Sequence, residues 1–71
     1  MNLEIIEELV KGQIQRMHEF SKKFYPQITP DDLWQPNDFP LLENNPLFRY
    51  EEGILCGLLQ AKAALNASKT L

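Results

Sequence analysis

The stretch spanning residues 45–65, NPLFRYEEGILCGLLQAKAAL, constrains the fold more than any other part of the chain. It opens on a helix-start pattern. Asn45 can cap, Pro46 suits the first helical position, and Glu51 and Glu52 follow early. Leu47, Ile54, Leu58, Ala61 and Leu65 then recur along one helical line, with Leu55 and Leu59 on a neighbouring line. Phe48, Tyr50 and Cys56 extend the apolar character around the start of the helix. A helix apolar over so much of its circumference is normally buried on more than one side, and one neighbouring helix covers only one. The same stretch carries small residues four apart, Gly53, Gly57 and Ala61. Each glycine costs about 1 kcal/mol inside a helix, so the row reads as a close contact, either with the first helix or with another chain. Such rows are familiar from membrane helices and carry less weight elsewhere.

A second helix is expected over residues 2–25. Asn2 can cap it, and Leu3, Ile6, Val10, Met17, Phe20 and Phe24 form a heptad-like seam if Gln13 fills the missing place. Ile5, Leu9 and Ile14 widen the apolar face. Glu4, Glu7 and Glu8 near the start and Lys22 and Lys23 near the end suit the helix dipole, and Glu7 with Lys11 makes an i,i+4 pair. Gly12 weakens this helix and marks a possible close crossing. Gln13 reads either as a register device, paired with a symmetry mate, Gln15 or Asn66, or as a boundary residue beside a buried Ile14. The drift of a 3.6-residue period against a heptad favours the boundary. Pro26 sets the latest end of this helix.

Between the helices lies a connector, residues 26–45, with prolines at 26, 30, 36 and 40. Its spacing offers no P-x-x-P ligand motif. Thr29, Pro30, Asp31 and Asp32 give a cap, a first-position proline and first-turn acids, so one or two helical turns are expected over residues 30–35. Another turn is expected over residues 39–43. Ile28, Leu33, Trp34, Phe39, Leu41 and Leu42 make the segment too apolar for a loose linker, and a connector of this length should fold back on the helices. The aromatic set Tyr25, Trp34, Phe39, Phe48 and Tyr50 reads as a small core beneath a long loop before it reads as a ligand groove.

Composition excludes several function classes. Seventy-one residues sit near the lower limit for independent folding, where a metal, a disulfide or a partner commonly completes the core. The single Cys56 and single His18 form neither an internal disulfide nor a Cys/His zinc site. Cys56 is expected as a buried, inert thiol. The net charge of −3 resides in the connector, where Asp31, Asp32, Asp38 and Glu43 face no base. These acids match no EF-hand spacing, and a basic stripe for nucleic acid is missing, which counts against a helix-turn-helix DNA binder. The start NLEIIEELV is acidic where a secretory leader is basic, and the apolar run 54–59 is far short of the about 20 residues that span a bilayer. His18 and Glu19 are adjacent and point about 100° apart on a helix, so they make no acid–base dyad. Arg49, Tyr50, Glu51 and Glu52 form the densest polar cluster, and Arg49 either pairs with Glu52 or reaches an acidic partner.

The expected architecture is all-α: an antiparallel two-helix hairpin of residues 2–25 and 46–66, a long connector with one or two short helical turns, and a frayed tail at 67–71, completed to a four-helix bundle by dimerisation. The expected function is a cytoplasmic protein–protein interaction or oligomerisation module without catalytic activity, cofactor or metal, and without a nucleic-acid or membrane partner. The alternative is a small-molecule or metal-binding protein that uses the aromatic and acidic connector. The residues expected to carry interaction are Gly53, Gly57, Ala61, Leu58, Leu65, Trp34 and Arg49.

Overall fold

The computed structural model describes residues 2–69 and is all-α. Helix α1 spans Leu3–Ser21, the connector holds two 3-10 turns at Pro30–Trp34 and Pro36–Asp38 and a short helix α2 at Pro40–Glu43, and α3 spans Pro46–Lys69. Among the described residues there is no strand.

Both long helices start where side-chain chemistry satisfies their first amides. Asn2 Oδ1 accepts from the Ile5 amide at 2.8 Å, and Asn45 Oδ1 accepts from both Leu47 and Phe48, at 2.9 and 3.1 Å. Removal of a cap of this kind costs about 1–2 kcal/mol. Asn45→Ala should therefore lower the melting temperature by about 4–8 °C per kcal/mol lost, measured by circular dichroism; an unchanged melt would show that Pro46 alone fixes the start of α3.

The ends differ from the sequence expectation. Helix α1 stops at Ser21 rather than near Tyr25. The Ser21 hydroxyl turns back to donate to the Met17 carbonyl at 2.8 Å, and the chain leaves through tight turns in which Lys23 and Phe24 bond three residues back, to Phe20 and Ser21. Phe24, expected in the seam, is consequently exposed. Helix α3 runs past residue 66 to Lys69, and the Ser68 hydroxyl donates to the Leu65 carbonyl at 2.8 Å. Thr70 and Leu71, the end of the expected frayed tail, lie outside the described residues. The Glu7–Lys11 pair is replaced by Glu8–Lys11 at 3.9 Å.

The long helices pair antiparallel. Gln13 Nε2 donates to the Glu51 carbonyl at 2.9 Å, Arg16 approaches the Glu51 carboxylate at 3.8 Å, and Phe20 shares a groove with Leu47. In this register Leu3 lies beside residue 62 or so, and the end of α3 overhangs by roughly 10 Å. The buried side of α1 is Ile6, Val10, Gln13, Met17 and Ser21. Gln13 is thus a seam residue, 4 % exposed, and not the boundary residue expected, while Ile14 is half-buried. Its partner is a main-chain carbonyl of α3, which periodicity alone cannot reveal.

The connector supplies the third side of the core. Ile28, Leu33 and Leu42 pack with Val10, Met17, Phe48 and Leu55 in one cluster. Its turns are built as the sequence suggests, with one more. The Asp32 carboxylate accepts from the Thr29 amide at 2.9 Å, the Tyr25 hydroxyl accepts from the Leu41 amide at 3.1 Å, and the Tyr25 and Phe39 rings meet edge to face at 5.0 Å. His18 Nε2 is 2.8 Å from the Ile28 carbonyl. These contacts place the connector on the flank of α1 that carries Ile14 and His18. The opposite flank remains open.

Candidate interaction surface

The open flank follows directly from helical geometry. On α1 the positions Ile5, Leu9, Gly12, Arg16, Phe20 and Lys23 recur at steps of three and four, to one side of the buried seam. On α3 the same geometry aligns Leu47, Ile54, Leu58 and Leu65. The two lines adjoin, because Arg16, Phe20 and Lys23 share a groove of about 530 Å³ with Leu47, Tyr50 and Glu51. Ile5 is 50 % exposed and Leu47 64 % exposed, Leu9 is also exposed, and Ile54, Leu58 and Leu65 are half-buried. Exposed apolar residues scattered singly are ordinary; a continuous line along both helices is the kind of surface that marks an interaction site.

Charge on this flank is graded along α1. Glu4 and Glu8 stand beside Ile5 and Leu9 near the start, and Arg16 and Lys23 stand near the end. Lys23 Nζ lies 5.7 Å from the centre of the Phe20 ring. Arg16 keeps 68 % of its side chain exposed despite reaching Glu51, so most of its five N–H donors face water.

The residues singled out in the sequence do not form one site. Leu58 and Leu65 lie half-buried on the open flank. Gly53, Gly57 and Ala61 lie exposed on the outer side of α3, and a methyl group added at Gly53 or Gly57 would meet nothing within 4 Å. The contact with the first helix that the small-residue row suggested is therefore not made. Gly53→Ala and Gly57→Ala should each stabilise the folded chain by about 1 kcal/mol, read as a raised urea midpoint; a loss of stability would reveal a close contact at that position. Trp34 is exposed on the connector. Arg49 pairs with Glu52 at 3.0 Å. The aromatic set divides likewise: Phe48 is fully buried, Tyr25 and Phe39 pack together, and Trp34 and Tyr50 face solvent.

Sequence reasoning missed Ile5 and Leu9 as surface residues. Their signal was present, since they fall to the side of the Ile6–Val10 seam opposite to Ile14, but nothing in the spacing says which side the connector will cover.

The side chains weighed for catalysis or metal binding lie apart. Cys56 is exposed rather than buried as expected, because its position turns away from both α1 and the core residue Leu55. The Arg16–Glu51 register sets Cys56 roughly 10 Å along the hairpin from His18. Asp31, Asp32, Asp38 and Glu43 do not gather; among the described residues no group of three or more His, Cys, Asp or Glu could hold a metal ion. A second groove, of about 420 Å³ beside Tyr25, Gln27, Ile28, Asp32 and Phe39, has its Tyr25 hydroxyl and Asp32 carboxylate engaged in the connector's own turns. Among the described residues no helix is long and apolar enough to cross a membrane. No family model, no curated protein and no solved structure matches this chain.

Proposed function

We propose that this protein is a non-enzymatic interaction module that works by self-association, its open flank closing against another copy of the hairpin to complete a four-helix bundle. One observation carries this reading: Ile5 and Leu9 of α1 and Leu47, Ile54, Leu58 and Leu65 of α3 form a partly exposed apolar line along both helices, opposite the side that the connector fills. Elongation supports it. The molecule measures 43 × 17 × 17 Å and exposes 5021 Å², against about 4,600 Å² for a compact monomer of this mass. Packing two such hairpins side by side is the ordinary route to a four-helix bundle. An exposed, unpaired thiol at Cys56 fits a reducing compartment, so the cytoplasm is the proposed setting.

The test is absolute mass by light scattering after size exclusion, over a wide concentration range. The expected result is a species heavier than the 8.3 kDa chain, converted to monomer by the double variant L9E/L47E, at two exposed positions, with its helix content retained. Both substitutions place charge on the open flank and leave the Phe48 cluster intact. A wild-type chain that stays monomeric at every concentration would overturn the reading.

A further inference from the structure

We infer that the occupant of the open flank is a second copy of this chain, docked antiparallel about a two-fold axis that passes between the two α1 helices at the level of Gly12. The inference rests on the self-association reading above and adds to it which helix meets its own copy and in what register.

The first argument is charge. Along the flank, Glu8 precedes Gly12 by four residues and Arg16 follows it by four. A two-fold axis at Gly12, perpendicular to the helix, sets Glu8 of each copy opposite Arg16 of the other, and symmetry makes the contact twice. Both groups are available. Glu8 is 74 % exposed with Lys11 at a distant 3.9 Å, and Arg16 is held by Glu51 at 3.8 Å. A side-by-side parallel arrangement would instead oppose Glu8 to Glu8 and Arg16 to Arg16. Turning the second copy so that α1 faces α3 would offer Arg16 the Glu51 carboxylate, which it already has within its own chain, and would leave Glu8 at the level of Gly57 and Leu58 with no base.

The second argument is shape. The same operation brings Ile5 beside Phe20 of the second copy and Leu9 beside the aliphatic stem of Arg16, so apolar surface meets apolar surface at both ends. At the axis the two helices meet glycine to glycine. A methyl group added at Gly12 would touch nothing within 4 Å in its own chain, so packing inside the monomer does not offset the about 1 kcal/mol that glycine costs there. A close crossing with a second α1 would. The third argument is area. One 43 × 17 Å side of the molecule offers roughly 700 Å², near the about 800 Å² per partner of a standard stable interface.

The geometry is tested by cysteine cross-linking in the full chain with Cys56 replaced by serine. Cβ atoms that face each other across the axis fall within disulfide reach. The variant G12C/C56S should form a covalent dimer under mild oxidation, whereas Q15C/C56S, three residues along α1 from the axis so that its two copies are offset by roughly 9 Å along the antiparallel helices, should cross-link far more slowly. In parallel, E8K alone and R16E alone should each weaken dimerisation by about tenfold, and E8K/R16E together should restore it; circular dichroism confirms that each variant is folded. A dimer by mass in which position 12 cross-links no faster than position 15, or in which the double charge reversal fails to recover affinity, would overturn this arrangement and leave the association reading standing. A monomer at all concentrations would overturn both.

Discussion

Phe48→Ala should remove about 3–5 kcal/mol of this chain's folding stability at 25 °C, about a third of it or more. Phe48 is fully buried in the first turn of α3, where α1, the connector and α3 converge, and it belongs to the cluster with Val10, Met17, Ile28, Leu33, Leu42 and Leu55. Phenylalanine-to-alanine substitutions in a core cost about 3–5 kcal/mol, since both transfer free energy and cavity are lost. A stability of 0.05–0.15 kcal/mol per residue puts a chain of this length at roughly 4–10 kcal/mol in total. One side chain therefore accounts for a large share of the margin. The neighbouring residue is the control. Leu47 faces solvent on the open flank, and Leu47→Ala in dilute monomer should change stability by less than about 0.5 kcal/mol. Urea titrations followed by circular dichroism measure both. Equal midpoints for the two variants would mean that the core does not lie on the Phe48 side of α3.

That contrast between adjacent residues shows what the sequence could and could not reveal. Local chemistry was legible. Asn2, Asn45 and Pro46 announce helix starts whatever the rest of the chain does, and the caps form as their side chains allow. The all-α class and the folding back of the connector followed from spacing and from Ile28, Leu33 and Leu42. What stayed illegible depended on partners distant in sequence. Gln13 is buried because the Glu51 carbonyl, thirty-eight residues away, receives its amide. A polar residue in an apolar seam gives no sign of whether such a partner exists, and the period-drift argument pointed the other way. Ser21 is comparable: a hydroxyl that satisfies itself on the Met17 carbonyl enters the core at little cost, and the helix ends there, short of the proline that seemed to set its limit. The two readings of the glycine row, a contact with the first helix or with another chain, could not be separated for a related reason. Spacing places Gly53, Gly57 and Ala61 on one face, but only tertiary structure shows that this face looks outward.

Replacing Ile28, Leu33 and Leu42 together by serine should abolish the folded monomer while keeping the length and charge of the connector. The three residues are 5 %, 4 % and 0 % exposed, and each loss of a large buried aliphatic side chain costs about 2–5 kcal/mol. Their sum of roughly 6–15 kcal/mol, reduced somewhat because neighbouring losses do not add fully, is as large as the roughly 4–10 kcal/mol expected for a chain of this size. The result bears on function as well as on fold. A connector evolved chiefly to hold a ligand would present its apolar residues to a cavity and could lose them with the helices intact. In this molecule those residues face Val10, Met17, Phe48 and Leu55 instead, so the connector is the third wall of the core and the open flank is the surface left over. The variant should therefore show coil-like circular dichroism at micromolar concentration. If association is as strong as the flank suggests, part of its helix content should return as concentration rises, because a second copy can then supply apolar surface that the connector no longer provides. Retention of full helicity in the dilute triple variant would show that the two long helices hold together without the connector, and would reopen the connector as a binding loop.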